Sequence, residues 1–185
     1  VLIKLVNVTD GGNNLYIDDI RVSGSPIVLI PDTNFRNFLR TSYPSYMDPS
    51  GDSLITKAAM SLKTILSCTN RNISDLTGVE YFINIPGLFC QNNKLNNLPD
   101  LSGNTALKFL RCSNNQLTSV PNLSANNSLV TFYVENNKLD FSDAGMLRIA
   151  DNVVSSLLVY APQNPFGTAD TIIFIAGDTL VFSIA

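Results

Sequence analysis

Histidine is absent from the 185 residues, and only 15% of them are charged. Without histidine there is no Ser-His-Asp or Cys-His catalysis, no histidine zinc ligand and no histidine pH switch. No apolar run reaches the roughly 18 residues that span a bilayer; the longest, such as Val28–Ile30 and Ile172–Ile175, are strand-sized. A net charge of −3 and an isoelectric point near 4.7 leave no basic stripe to neutralise phosphates, which argues against a nucleic-acid partner. G-x-S-x-G, P-loop and G-x-G-x-x-G motifs are all missing. The acidic residues Asp75, Glu80, Asp100 and Asp140 fall in turns and caps rather than in a convergent pair. The chain therefore reads as a non-enzyme without a cofactor. It opens on Val1 with no charged n-region, apolar h-region and cleavage site ahead of it, so it is expected to be a piece of a longer protein.

What is present is regularity. At 45% hydrophobic, the chain can build a core and is no disordered tail. Asparagine supplies 22 residues, many as adjacent pairs such as Asn92-Asn93 and Asn114-Asn115. Cys68, Cys90, Cys112 and Val134 stand 22 residues apart, and Asn70, Asn92, Asn114 and Asn136 keep the same step. So do Leu66, Leu88, Leu110 and Phe132 ahead of them, and Ile73, Leu95, Leu117 and Leu139 behind. Several columns in register over four units define an internal repeat.

The unit Leu107-x-x-Leu110-x-Cys112-x-x-Asn115-x-Leu117 resembles the leucine-rich repeat. Alternation of Leu110 and Cys112 with Phe109, Arg111 and Ser113 makes a short strand with one buried face. Units too small to close their own core must stack as a parallel sheet. The asparagines at 93, 115 and 137 are expected to turn inward and satisfy turn backbone, since a buried amide must be hydrogen-bonded. Arg71 takes that place in the first unit. The return legs, apolar at Leu76, Leu98 and Val120 and again at Val79, Leu101 and Leu123, carry Pro99, Pro121, Gly78 and Gly103 and should lack regular helices. The pattern is lost at Ser142 and Gly145, where the repeats are expected to end.

The fold class is thus an α+β solenoid with a parallel sheet, a mostly irregular convex side, helical caps and a β-hairpin at each terminus. Repeats occupy 62–141. Residues 25–61 form an N-terminal cap, with a helix from Asp32 or Thr33 to about Arg40 that turns Phe35, Phe38 and Leu39 inward, and a second short helix from near Thr56. Residues 142–160 form a C-terminal cap, with a helix over Ser142–Ala150. Ile30-Pro-Asp-Thr-Asn-Phe35 followed by Ile73-Ser-Asp-Leu-Thr-Gly-Val-Glu-Tyr-Phe82 is similar to the cap and first repeat of secreted bacterial leucine-rich proteins, internalins and Bacteroidetes surface proteins among them. Residues 1–24, with a turn at Asp10-Gly-Gly-Asn-Asn14, and 161–185, with strands Thr171–Ile175 and Thr179–Ile184, read as hairpins. They resemble the end of a jelly-roll module and the start of an immunoglobulin-like one. Isolated hairpins expose edges that want partners.

Candidate sites follow from this frame. The three cysteines face the core as small hydrophobes, their spacing being no zinc pattern. Asp48 and Asp52 in Asp48-Pro-Ser-Gly-Asp-Ser53, and Asp18 and Asp19, are weak candidates for a structural calcium; the first loop lacks the sixth-position glycine and closing glutamate of a calcium loop. The exposed face of the sheet is the most informative surface. Its columns read Ile65, Gly87, Phe109, Thr131; Ser67, Phe89, Arg111, Tyr133; and Thr69, Gln91, Ser113, Glu135. Phe89, Phe109, Arg111 and Tyr133 become neighbours, with Gln91 and Glu135 beside them, and an arginine between rings is a common interface anchor. Cross-strand packing alone is the plainer explanation of the same cluster. The expected function is a non-catalytic binding or adhesion module of a secreted or cell-surface bacterial protein, contacting a protein or glycan and inserting into no membrane. The alternative is a structural spacer or filament subunit joined through its terminal strands.

Overall fold

In a computed structural model, which describes residues 26–139 and the backbone of Leu157–Val159 and Ile173–Phe174, every apolar column of the repeat is buried. Leu66, Leu88, Leu110 and Phe132 point inward from strands β3 (Leu66–Ser67), β4 (Gly87–Phe89), β5 (Phe109–Arg111) and β6 (Thr131–Tyr133). These strands pair in parallel, in chain order, with Leu66 opposite Leu88, Leu88 opposite Leu110 and Leu110 opposite Phe132. Beyond each strand the ladder runs on, the Cys68, Cys90 and Cys112 amides donating to Phe89, Arg111 and Tyr133 carbonyls at 2.8 Å.

The chain then turns through Asn70, Asn92, Asn114 and Asn136, which hold φ of +55° to +58°. That left-handed region penalises most side chains and tolerates asparagine, which explains the column. One residue on, the second asparagine of each pair turns inward. Asn93 Oδ1 accepts from the Arg71 and Ile73 amides at 3.0 Å, and its Nδ2 donates to the Cys68 and Cys90 carbonyls at 2.9 Å. Asn115 and Asn137 repeat the arrangement one and two units further on. A second asparagine column lines the return legs: Asn104 Nδ2 donates to the Val79 and Phe82 carbonyls, and Asn126 Nδ2 to those of Leu101 and Asn104. Among the described residues the return legs hold no α-helix, only a 3₁₀ turn at Val79–Tyr81.

Ahead of the repeats, β1 (Ile27–Leu29) pairs antiparallel with β2 (Ser53–Ile55), a pairing not read from the sequence. Between them α1 (Thr33–Ser42) buries Phe35, Phe38 and Leu39, and α2 (Thr56–Ala59) follows β2. Asp32 ties this segment to the first repeat. One of its oxygens accepts the Phe35 amide at the start of α1, at 2.8 Å; the other accepts the Ser74 amide and hydroxyl at 2.9 and 2.8 Å. Gly78 is a glycine for two reasons: its φ is +106°, and a side chain there would run into Ile30.

The sheet does not stop where the repeat pattern does. β7 (Leu157–Val159) pairs in parallel with β6, Leu158 opposite Phe132, and β8 (Ile173–Phe174) pairs antiparallel with β7. The open edge of β6 carries unpaired amides and carbonyls that a following strand satisfies whether or not its side chains keep the repeat. The expected helix over Ser142–Ala150, the hairpin of residues 1–24 and the Thr179–Ile184 strand lie outside the described residues.

Candidate functional site

Because Leu88, Leu110 and Phe132 point inward, their neighbours in β4, β5 and β6 share the opposite face. The register sets Phe89 opposite Arg111, Arg111 opposite Tyr133, and Gly87 opposite Phe109. Arg111 lies between the two rings, its guanidinium carbon 4.6 Å from the Phe89 centroid and 5.2 Å from that of Tyr133. Each such contact contributes about 0.5–2 kcal/mol, more as water is excluded. Gly87 makes room for this arrangement. A side chain there would meet Ile65 Cγ1 at 3.2 Å, the Phe89 ring at 3.3 Å and Phe109 Cβ at 3.5 Å. Ile65 closes the apolar end of the face and is 40% exposed.

Gln91 and Glu135 flank Ser113 one repeat to either side, placed by backbone bonds from Asn92 to the Ser113 carbonyl and from Asn114 to the Glu135 carbonyl, both 3.0 Å. Ser113 departs from its expected exposure and is buried between these longer neighbours. Three polar atoms on this face are shut away from solvent without a hydrogen-bond partner: Arg111 Nε, Gln91 Oε1 and Glu135 Oε2. The arrangement is a half-buried cation between rings, an apolar end and a polar row with unmet capacity.

The other candidates have different surroundings. Asp48 accepts from the Ser53 amide and the Ser50 hydroxyl, while Asp52 pairs with Arg40 at 2.8 Å and Arg36 at 3.5 Å. Both carboxylates are thus engaged by the protein itself, Asp48 within a turn and Asp52 in an ion-pair clamp. Asp18 and Asp19 lie outside the described residues. Among the described residues no group of three His, Cys, Asp or Glu side chains is placed to hold a metal ion. Cys68, Cys90 and Cys112 are free and buried. Burial pushes the Cys68 thiol up to about 12 and the other two well above their ordinary value, so none is a thiolate at neutral pH. Cys90 and Cys112 Sγ donate to the Arg111 and Tyr133 carbonyls at 3.4 Å.

Leucine-rich repeats (two copies) match residues 105–144. Among solved structures, the functional domain of InlJ from Listeria monocytogenes, described as including a cysteine ladder, is 25% identical with a TM-score of 0.55, over 76% of this chain and 29% of that one. The internalin InlF from Listeria monocytogenes strain 4b F2365 is 16% identical with a TM-score of 0.55, over 73% of this chain and 44% of its own. The chain carries an internalin-like leucine-rich repeat domain. No curated protein matches its sequence. This chain spans 29% and 44% of the lengths of these two solved structures.

In this internalin-like domain the repeat columns locate every sheet-face residue named above, and the spacing alone brings Phe89, Arg111 and Tyr133 together. Sequence reasoning missed the second asparagine column and the unmet polar atoms. The spacing of Asn104 and Asn126 is the signal that would have found the first. The second depends on side-chain burial that no spacing encodes. Among the described residues of the domain, no helix is long and apolar enough to cross a membrane.

Proposed function

We propose that the internalin-like domain is a non-catalytic binding module of a secreted or cell-surface bacterial protein, and that its sheet face contacts a protein partner. The observation that carries this reading is the Phe89–Arg111–Tyr133 stack at the middle of the sheet, beside polar atoms with no partner in the chain. Half-buried aromatics and arginine are the side chains that dominate interface energies. Arg111 also keeps terminal guanidinium nitrogens that are neither buried nor paired in the chain, free for a partner's acceptors. The surface or secreted setting rests on likeness to internalins. Use as a spacer or assembly subunit keeps one supporting observation: Ile27 and Leu29 on β1 are 49% and 61% exposed.

Random peptides displayed on phage and selected against the whole chain supply ligands for a test. Changing Phe89, Arg111 and Tyr133 together to alanine should weaken binding of the selected pool about tenfold or more, with circular dichroism showing the fold retained. A folded triple variant that binds the pool as well as the unaltered chain overturns the assignment.

A further inference from the structure

We infer that the sheet face recognises a protein segment that sets a carboxylate on Arg111 and presents a hydrogen-bond donor to Glu135. The inference rests on the binding reading above and names the chemistry of its partner. Both ion pairs found among the described residues use Asp52, and Arg111 has none. Its Nε is buried and unmet, as are Gln91 Oε1 and Glu135 Oε2 on the repeats to either side, so a partner meets the terminal guanidinium nitrogens and the other Glu135 oxygen, which are not shut away. Glu135 stands two residues past Tyr133, the ring that Arg111 contacts, yet the two charges make no ion pair. The face therefore shows a ready cation and a ready anion side by side.

That pattern selects among partner classes. A polyanion, nucleic acid or acidic glycan, would satisfy Arg111 but meet the Glu135 carboxylate, since these two are the only charged side chains in the three columns. A neutral sugar needs an open ring face to stack on. Here the guanidinium fills the space between Phe89 and Tyr133 and takes the inner face of each ring. A polypeptide carries a carboxylate, amide donors and an apolar side chain within a few residues of one another, matching Arg111, Glu135, and Ile65 with Phe109 in turn. Arginine held flat by rings offers its donors to a carboxylate in fixed geometry.

The test uses the phage-selected peptides on the whole chain. Their consensus should contain an aspartate or glutamate. Arg111→Gln, and separately a change of that acidic residue to its amide, should each weaken binding about tenfold. The two changes combined should cost little more than either alone, the sign of a direct pair. Arg111→Lys, which keeps the charge, should bind better than Arg111→Gln, and melting curves should show both variants folded. Peptides that lack an acidic residue, or that ignore Arg111→Gln yet are lost in the triple alanine variant, overturn the carboxylate inference and leave the binding face standing. Peptides indifferent to both variants, or no enrichment at all, overturn the two together. Glycan-array binding that the triple variant abolishes replaces the protein partner with a sugar.

Discussion

Asn115→Ala is expected to destabilise the chain by about 3–4 kcal/mol, lowering its melting temperature by roughly 10 °C. Asn115 is 8% exposed, and its amide spans three stretches of backbone. Oδ1 accepts the Leu95 amide at 3.0 Å, and Nδ2 donates to the Cys90, Cys112 and Ser113 carbonyls at 3.1, 3.0 and 3.2 Å. Alanine orphans the buried Leu95 N–H, which alone costs about 1–3 kcal/mol. The Cys90 and Cys112 carbonyls keep one asparagine each, Asn93 and Asn137, and so lose only their second bond. A small cavity adds the remainder. Asn115→Asp retains an acceptor for Leu95 but turns a carboxylate toward three carbonyls, and is expected to be at least as damaging. Asn122→Ala serves as the comparison: its side chain only caps the exposed Ser124 amide, and its loss should cost under about 1 kcal/mol. Urea unfolding of the three variants measures the difference. Equal, small losses at Asn115 and Asn122 would mean that the inward asparagines do not hold the turns.

Asp32→Ala carries the second large effect, about 2–3 kcal/mol at neutral pH. It removes the cap of α1, worth about 1 kcal/mol, and both bonds to Ser74 across to the first repeat. Partial burial pulls the Asp32 carboxyl upward, but the Ser74 and Phe35 bonds outweigh it and hold the group below its ordinary value of 3.8. A carboxyl held low in the folded chain adds stability that is complete above that ordinary value and fades as pH falls through the folded one. The gap between the unaltered chain and Asp32→Ala should therefore be full at pH 7 and narrow as the pH falls below 3.8. Asp48 and Asp100 are also held low, Asp48 chiefly by Ser50 and Asp100 by Ser102, so acid weakens both chains. Only the difference between them isolates Asp32. A gap that stays constant with pH would show that Asp32 does not act through its charge.

The parts of this structure legible in the sequence are those fixed by a repeating step. Buried columns, parallel strands, inward asparagines and the face that gathers Phe89, Arg111 and Tyr133 all follow once Cys68, Cys90 and Cys112 are seen to stand 22 residues apart. The pairing of β1 with β2 was hidden because a helix separates the two strands and no hairpin turn marks them. β7 was hidden because Leu158 follows Phe132 at a longer step than the repeat. The return-leg asparagines escaped notice for a different reason: in a chain this rich in asparagine, Asn104 and Asn126 look like composition until their carbonyl partners are seen. Which polar atoms of the sheet face are left unmet depends on side-chain packing between repeats, and that is set only when the sheet assembles.

Binding through the solvent side of the sheet can be located directly. A photo-cross-linking residue in place of Thr131, on the sheet beside Phe109, can be set against one in place of the exposed Ser102 on a return leg. With peptides selected on the unaltered chain, cross-links should form from position 131 and not from 102, and should vanish when unlabelled peptide is added in excess. Cross-links from 102 alone would place the binding surface on the convex side and rule out the sheet face.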